Sequence, residues 1–444
     1  MMVDDILKGK YPAKAHARQR SPETFYDDTD LAIPFRQRRA FMYLMGVDTP
    51  DCHLIYEIGN DRLTLYIPPV DSESILWSGM PLMTEEVLTK YDVDRALPNT
   101  NLQTTLDWIG SRTNEFIFTI IGHVGHGITL PGGIKVDTTN LREAIDECRV
   151  VKDEYEIALI KKANMISSAA HLVVIKSVKK CKNEAEIDGV FLGECTKIQA
   201  YPSIVASGRT AATMHYESNN QDLYLNGKVK DVVVINAGAE WNCYGADITR
   251  TLPILGKFTH ESRAIYEIVL KMQESCITAL KEGVLWDDLH VLAHEIAIDS
   301  LLTLGILKGN KDEILAERIS TAFMPHDLGH FLGMDTHDTG GHPNEADPDP
   351  MFKYLRVRRC LPAGCVVTVE PGIHFGPHMI RPYLDDQRLS QYIDEKILDK
   401  YWDVGGVCIE DDLLITRDGS VNLTDVPKDP DELESIMSGT SMAT

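Results

Sequence analysis

Three apolar, β-branched runs in the second half of this chain each end at a side chain that is costly to bury alone. Val232–Ile235 leads into Asn236, Val366-Val-Thr-Val369 ends at Glu370, and Gly405-Gly-Val-Cys-Ile409 ends at Glu410. β-branched residues favour strands, and a buried carboxylate must be paired, protonated or bound to a cation. A fold for this chain must therefore either put those strand ends in water or gather them around a shared partner.

The surrounding text supplies the scaffold. From Phe41, short β-rich runs such as Leu63-Thr-Leu-Tyr-Ile67 and Phe116-Ile-Phe-Thr-Ile-Ile121 alternate with helical stretches, which predicts an α/β domain over residues 31–150 behind a polar arm at residues 1–30. Between Arg149 and Lys180, Ile157, Leu159, Ile160, Ala163, Ile166, Ala170 and Val173 recur at helical spacing, and this amphipathic stretch opens a second domain over 151–430. There the expected order is a helix to about Ala200, strands at Val232–Ile235 and through Thr251, two helices over Glu261–Leu304, and strands near His326–His337, Val366–His374 and Val407–Thr416. Adjacent strands with helices in blocks predict α+β, with an antiparallel sheet and helices on one face. Residues 431–444 read as a trailing tail.

Charge narrows the partners. The 44 Lys and Arg face 67 Asp and Glu, a formal charge of −23, so nucleic acid and anionic membrane are excluded as expected partners. No apolar run approaches the length of a membrane span. The nine cysteines are scattered without a Cys-x-x-Cys pair, which fits a reducing, cytoplasmic setting.

Asn236 and Asp247 lie eleven residues apart across a glycine-bearing turn, a spacing that can bring two paired strands to one point. His326, His330 and His337 follow within twelve residues, and imidazole serves as metal ligand or as general acid and base. Each feature alone could be a solvated strand end or surface. Asp247, His330, Glu370 and Glu410 together form an oxygen-rich set with one nitrogen, which suits manganese, iron, cobalt or zinc.

Five ordered motifs carry a resemblance: Ala246-Asp-Ile-Thr-Arg250, Gly329-His-Phe-Leu-Gly333, His337-Asp338, Val369-Glu-Pro-Gly372 and Ile409-Glu-Asp411. With these the chain resembles the pita-bread metallopeptidases, prolidase and aminopeptidase P among them, over nearly its whole length. The resemblance implies a creatinase/prolidase-like N-terminal domain and a pita-bread catalytic domain, and a homodimer. It also implies two metal ions, chiefly manganese, held at Asn236, Asp247, His330, Glu370 and Glu410. His326, His337 and Glu370 would be catalytic beside a metal-activated water, while His215 and Arg356 would bind substrate, Arg356 gripping a dipeptide's carboxylate with its planar fork.

Two departures fall in that set. The first ligand of the family is an aspartate and here is Asn236; an arginine two residues before the last glutamate is here Cys408. The two losses remove both members of one ion pair, leaving local charge balanced; Cys408 reads as a buried inert thiol, and a thiolate there, if it points inward, would favour zinc. Asp327 stands where the family usually has glycine, and His374 where it usually has tyrosine. The expected function is a metal-dependent Xaa-Pro dipeptidase acting on short peptides. The alternatives are a non-proteolytic pita-bread enzyme using a small amino-acid-derived or biosynthetic substrate, and a pseudoenzyme that binds a partner.

Overall fold

The structure, a computed structural model, describes residues 14–18, 35–112, 116–125, 127–195 and 198–440. Contacts divide the chain into two compact units, Met1–Cys148 and Arg149–Thr444.

The first unit is built on six strands, β1 (Lys14–Arg18), β2 (His53–Glu57), β3 (Arg62–Ile67), β4 (Arg95–Pro98), β5 (Phe116–Thr119) and β6 (Lys135–Asp137), in the order β4-β3-β2-β1-β5-β6. Successive side chains of a strand point to opposite faces. Leu54 and Leu65, directly paired, thus face helix α1 (Arg39–Met45) through Phe41 and Met45, whereas Ile55 and Tyr66 face helix α2 (Leu102–Gly110) through Leu102 and Leu106. Helices cover both faces at β2 and β3, which is why Leu63-Thr-Leu-Tyr-Ile67 reads as a nearly continuous apolar run. The arm expectation is corrected in part. Residues 14–18 form a strand hydrogen-bonded between β2 and β5, and Lys14-Ala-His-Ala-Arg18 carries no apolar run that would announce it. The rest of the arm lies outside the described residues.

The second unit opens with helix α3 (Glu154–Ser177), whose start is fixed by a capping box: Asp153 accepts from the Glu156 amide and Glu156 accepts from the Asp153 amide. Strands β7 (Ile204–Ser207), β8 (Val232–Asn236) and, after the short pair β9 (Ala239–Trp241) and β10 (Tyr244–Gly245), β11 (Thr249–Pro253) form an antiparallel sheet with β8 in the middle. Helices α4 (His260–Ala279) and α5 (Trp286–Thr303) follow. Strand β12 (Val366–Val369) pairs with β15 (Asp411–Ile415), and β13 (Gly372–His374) with β14 (Gly406–Cys408), all antiparallel. Helix α4 packs across β12, β13 and β14, burying Val269, Met272 and Cys276 with Val367, Val369 and Val407. The expected α+β architecture with antiparallel sheets is present.

Two further expectations are corrected. His326–His337 is not a strand: the segment follows β12 through Leu332 N to Val366 O, Thr368 N to His330 O and Glu370 N to Leu328 O, with a single bridge at Phe331 and Val367. Gly329, at φ 157°, passes so close to the Thr368 carbonyl that a Cβ would collide with it. Nor do residues from 430 trail away. Pro430–Ser438 is a helix capped by Asp429, with Leu433, Ile436 and Met437 buried.

Candidate active site and metal centre

Strand register builds the site. Asn236 ends β8 and sits opposite Thr249 on β11, and Thr249 in turn bridges Glu410 just before β15. Three strand ends therefore meet at one place. Asn236 Nδ2 donates to Glu410 Oε2 at 3.0 Å, and Thr249 Oγ1 donates to the same oxygen at 2.5 Å. Asp247, immediately before β11, His330 and Glu410 each offer a ligand atom within 4.8 Å of the others, and all three are buried. Glu370 joins through His330, whose Nε2 lies 3.3 Å from Glu370 Oε1 and 3.5 Å from Asp247 Oδ2.

The protonation pattern tests the fit of a cation. His330 Nδ1 sits 3.0 Å from the Phe331 carbonyl, which can only accept, so the proton of the neutral ring is on Nδ1 and the Nε2 lone pair faces two carboxylates. That arrangement requires a positive particle on Nε2. Without a metal it is a proton: burial alone would lower the His330 pKa, but Asp247 and Glu370 raise it to about 9. Burial first and then neighbouring charge push Glu410 well above the usual carboxylate range, and burial carries Glu370 up to about 8 despite His330. Two buried oxygens, Asn236 Oδ1 and Glu410 Oε1, have no hydrogen-bond partner among the described residues. A carboxylate-rich pocket with orphaned acceptors and an inward imidazole nitrogen fits a divalent cation.

Other residues hold this set in place. Tyr201 donates to Asp247 Oδ1 at 2.6 Å, Asp412 Oδ2 accepts from the Asp247 amide and from Asn164, and Thr368 Oγ1 accepts from the His330 amide while donating to Glu370. Arg250 is fully buried, donating to the backbone of Thr249 and Glu410 and to Asp411 Oδ1. Tyr201, Thr249 and Asp412 are missing from the site residues expected from sequence. Thr249 lies inside a quoted motif, but only the register reveals its contact.

The remaining expected residues divide. The His337 ring packs edge-on to His330 with centroids 4.5 Å apart, and burial lowers its pKa to about 3, so it is a neutral hydrogen-bonding ring at physiological pH. His326 contacts His374, Nε2 to Nε2, at 3.2 Å. Arg356 Nη1 donates to both oxygens of Asp327, at 3.0 and 2.9 Å. His215 is exposed on a turn, and among the described residues no hydrogen bond joins it to the cluster. Cys408 is a thiol rather than a thiolate ligand: it donates to the Glu370 carbonyl, and burial with the surrounding carboxylates pushes its pKa well above the usual value.

Comparisons with known proteins identify the family. Residues 158–417 match the sequence profile of metallopeptidase family M24, and residues 10–118 that of the aminopeptidase P N-terminal domain. A probable Xaa-Pro aminopeptidase of Sordaria macrospora is 53% identical, the match covering 98% of both chains, and one of Podospora anserina is 52% identical over 98% of this chain and 99% of the relative. Among solved structures, proline aminopeptidase P II from Yersinia pestis matches with a TM-score of 0.81 at 30% identity, covering 98% of each chain. Aminopeptidase P from E. coli with the inhibitor Pro-Leu matches at 0.82 and 28%, covering 98% of this chain and 97% of that one. A zinc-substituted form of the E. coli enzyme with product matches at 0.82 and 27%, over 99% and 98%. These likenesses span both units, and the pita-bread fold with its preceding domain is the fold of this protein. The chain belongs to metallopeptidase family M24.

Proposed function

We propose that this protein is a metal-dependent Xaa-Pro aminopeptidase, releasing the first residue of a peptide whose second residue is proline. The relatives named for that activity support the reading, and one contact separates it from the dipeptidase alternative. Arg356, the residue suited to grip a dipeptide's carboxylate, already has a carboxylate: Asp327, 3% exposed, accepts two bonds from its Nη1. A free C-terminal carboxylate directly after proline would meet a neutralised guanidinium beside a buried negative charge, whereas a longer peptide presents a neutral amide there and escapes the repulsion.

Asp247, His330, Glu370 and Glu410 would hold the metal, manganese being our assignment for so oxygen-rich a donor set, with Asn236 Oδ1 as an added neutral oxygen. Bound there, a divalent ion activates water and polarises a carbonyl. Glu370, beside His330 and accepting from Thr368, is placed to take a proton from the attacking water and to return it to the leaving proline nitrogen. His337, neutral and next to His330, can donate to the scissile carbonyl. Tyr201 and Thr249 keep Asp247 and Glu410 from rotating away.

The test compares kcat/KM for an Xaa-Pro dipeptide with that for the same peptide extended by one residue, on the manganese-loaded protein. The extended peptide is expected to be preferred by at least tenfold. Preference for the dipeptide would favour the dipeptidase reading.

A further inference from the structure

Away from the carboxylate cluster, His326 and His374 form a pair whose hydrogen bonding does not close. His326 Nδ1 lies 2.7 Å from the Asp327 carbonyl, and His374 Nδ1 lies 3.2 Å from the Ala211 carbonyl. A carbonyl oxygen only accepts, so both Nδ1 atoms carry hydrogen. In two neutral rings both Nε2 atoms are then bare lone pairs, yet they face each other at 3.2 Å. Two bare acceptors at that distance repel; a cation between them relieves this with both Nδ1 bonds kept, whereas a proton moved to His374 Nε2 gives up the bond to Ala211.

The surroundings are shaped for an ion. Gly372 runs beside the pair, where a Cβ would stand 2.5 Å from His374 Nε2 and 3.1 Å from His326 Nε2; any other residue would press on both nitrogens. The bonds from Nδ1 to backbone carbonyls are the usual outer support of metal-ligating histidines, fixing tautomer and ring orientation. Nitrogens 3.2 Å apart, each about 2.0–2.1 Å from a zinc ion, subtend an angle of roughly 100–105°, close to tetrahedral. His374 is buried at 4% exposure, while His326 is partly exposed, leaving a side from which water could complete the coordination. A proton is the poorer occupant, since burial lowers the pKa of both rings, that of His374 to about 3.

We propose that His326 and His374 form a second metal site, chelating one borderline divalent ion of the zinc type between their Nε2 atoms. Two neutral imidazoles and no carboxylate select such an ion over manganese, so the two sites differ in metal preference. An ion here also ties up His326 Nε2. The argument for this site does not rest on the activity proposed above.

The experiment loads the full-length protein with manganese, adds zinc, removes free ions by desalting and measures the sum of manganese and zinc per chain. Using the sum cancels any exchange at the carboxylate cluster. The unaltered protein is expected to hold one more ion per chain than His374→Gln, and His326→Gln is expected to lose the same one. Equal sums in folded variants would overturn the site. Copper(II) added to the manganese-loaded, unaltered protein gives a reading that depends on no variant. A signal coupled to two nitrogens is expected beside any one-nitrogen signal from copper exchanged onto the His330 cluster, and its absence would overturn the proposal.

Discussion

At the scale of single residues, Asp327 touches two of the expected site residues: its carboxylate accepts from Arg356 and its carbonyl lies against His326 Nδ1. Asp327→Gly, which frees the guanidinium and leaves the backbone carbonyl, should raise the kcat/KM ratio of dipeptide over extended peptide by roughly tenfold to a hundredfold, the worth of one charged hydrogen bond. An unchanged ratio would remove Asp327 from substrate choice. Asn236 is the other informative position. Its amide nitrogen binds Glu410 where an aspartate would repel it, so Asn236→Asp should weaken the metal-free fold and tighten manganese binding; calorimetric titration that finds weaker binding would contradict this. Asn236, Asp247, His330, Glu370 and Glu410 were legible because each ends an apolar run or sits in a motif, and the structure brings them together. Tyr201 was not, since nothing in its local sequence marks a hydroxyl aimed at Asp247.

At the scale of elements, helix α3 shows how a site far along the chain depends on a helix start. Glu156 closes the capping box with one carboxylate oxygen and accepts the Tyr244 hydroxyl at 2.8 Å with the other, tying the helix to β10 two residues before the Ala246-Asp247 turn. Glu156→Ala removes a cap contact and the bond that the Tyr244 hydroxyl makes, for a loss of about 2 kcal/mol in unfolding free energy. Denaturant titration finding no loss would deny the box its role. The elements most readable from sequence were those with strong periodicity, such as α3 and β12. His326–His337 misled because three backbone bonds to β12 give it strand-like neighbours while Gly329 and its tight approach keep it irregular. Strand β1 was hidden because its partners, not its own side chains, make it a strand.

At the scale of the whole molecule, the chain carries 23 more acidic than basic charges, yet its catalytic unit is fastened by buried ion pairs. Asp338, beside His337, receives Lys152 at 3.0 Å and Arg149 at 2.5 Å, with Lys152 and Asp338 each 1% exposed at the side chain. Burial would raise the Asp338 pKa, but the two cations hold it below the usual carboxylate value. A depressed carboxylate contributes stability that is complete above its unfolded pKa, about 3.9, and lost as pH falls through the lower folded value. Asp338→Asn should therefore cost about 3–5 kcal/mol near neutral pH by taking the carboxylate from buried Lys152, while Arg149 keeps Asp335 at 2.7 Å, and the difference from the unaltered protein should shrink below about pH 4. A pH-independent difference would refute that assignment. The fold class was readable because antiparallel strands and helical blocks follow one another in the chain. The contact on which the proposed preference for longer peptides rests was not, because it joins Asp327 and Arg356, 29 positions apart. The most direct measurement is release of the N-terminal residue from an Xaa-Pro-Xaa peptide before chelation, after removal of metal, and after manganese is restored. The account predicts turnover that is lost on chelation and regained with manganese, and that is absent in His330→Ala throughout. Turnover that survives chelation, or none in the manganese-loaded protein, would contradict it.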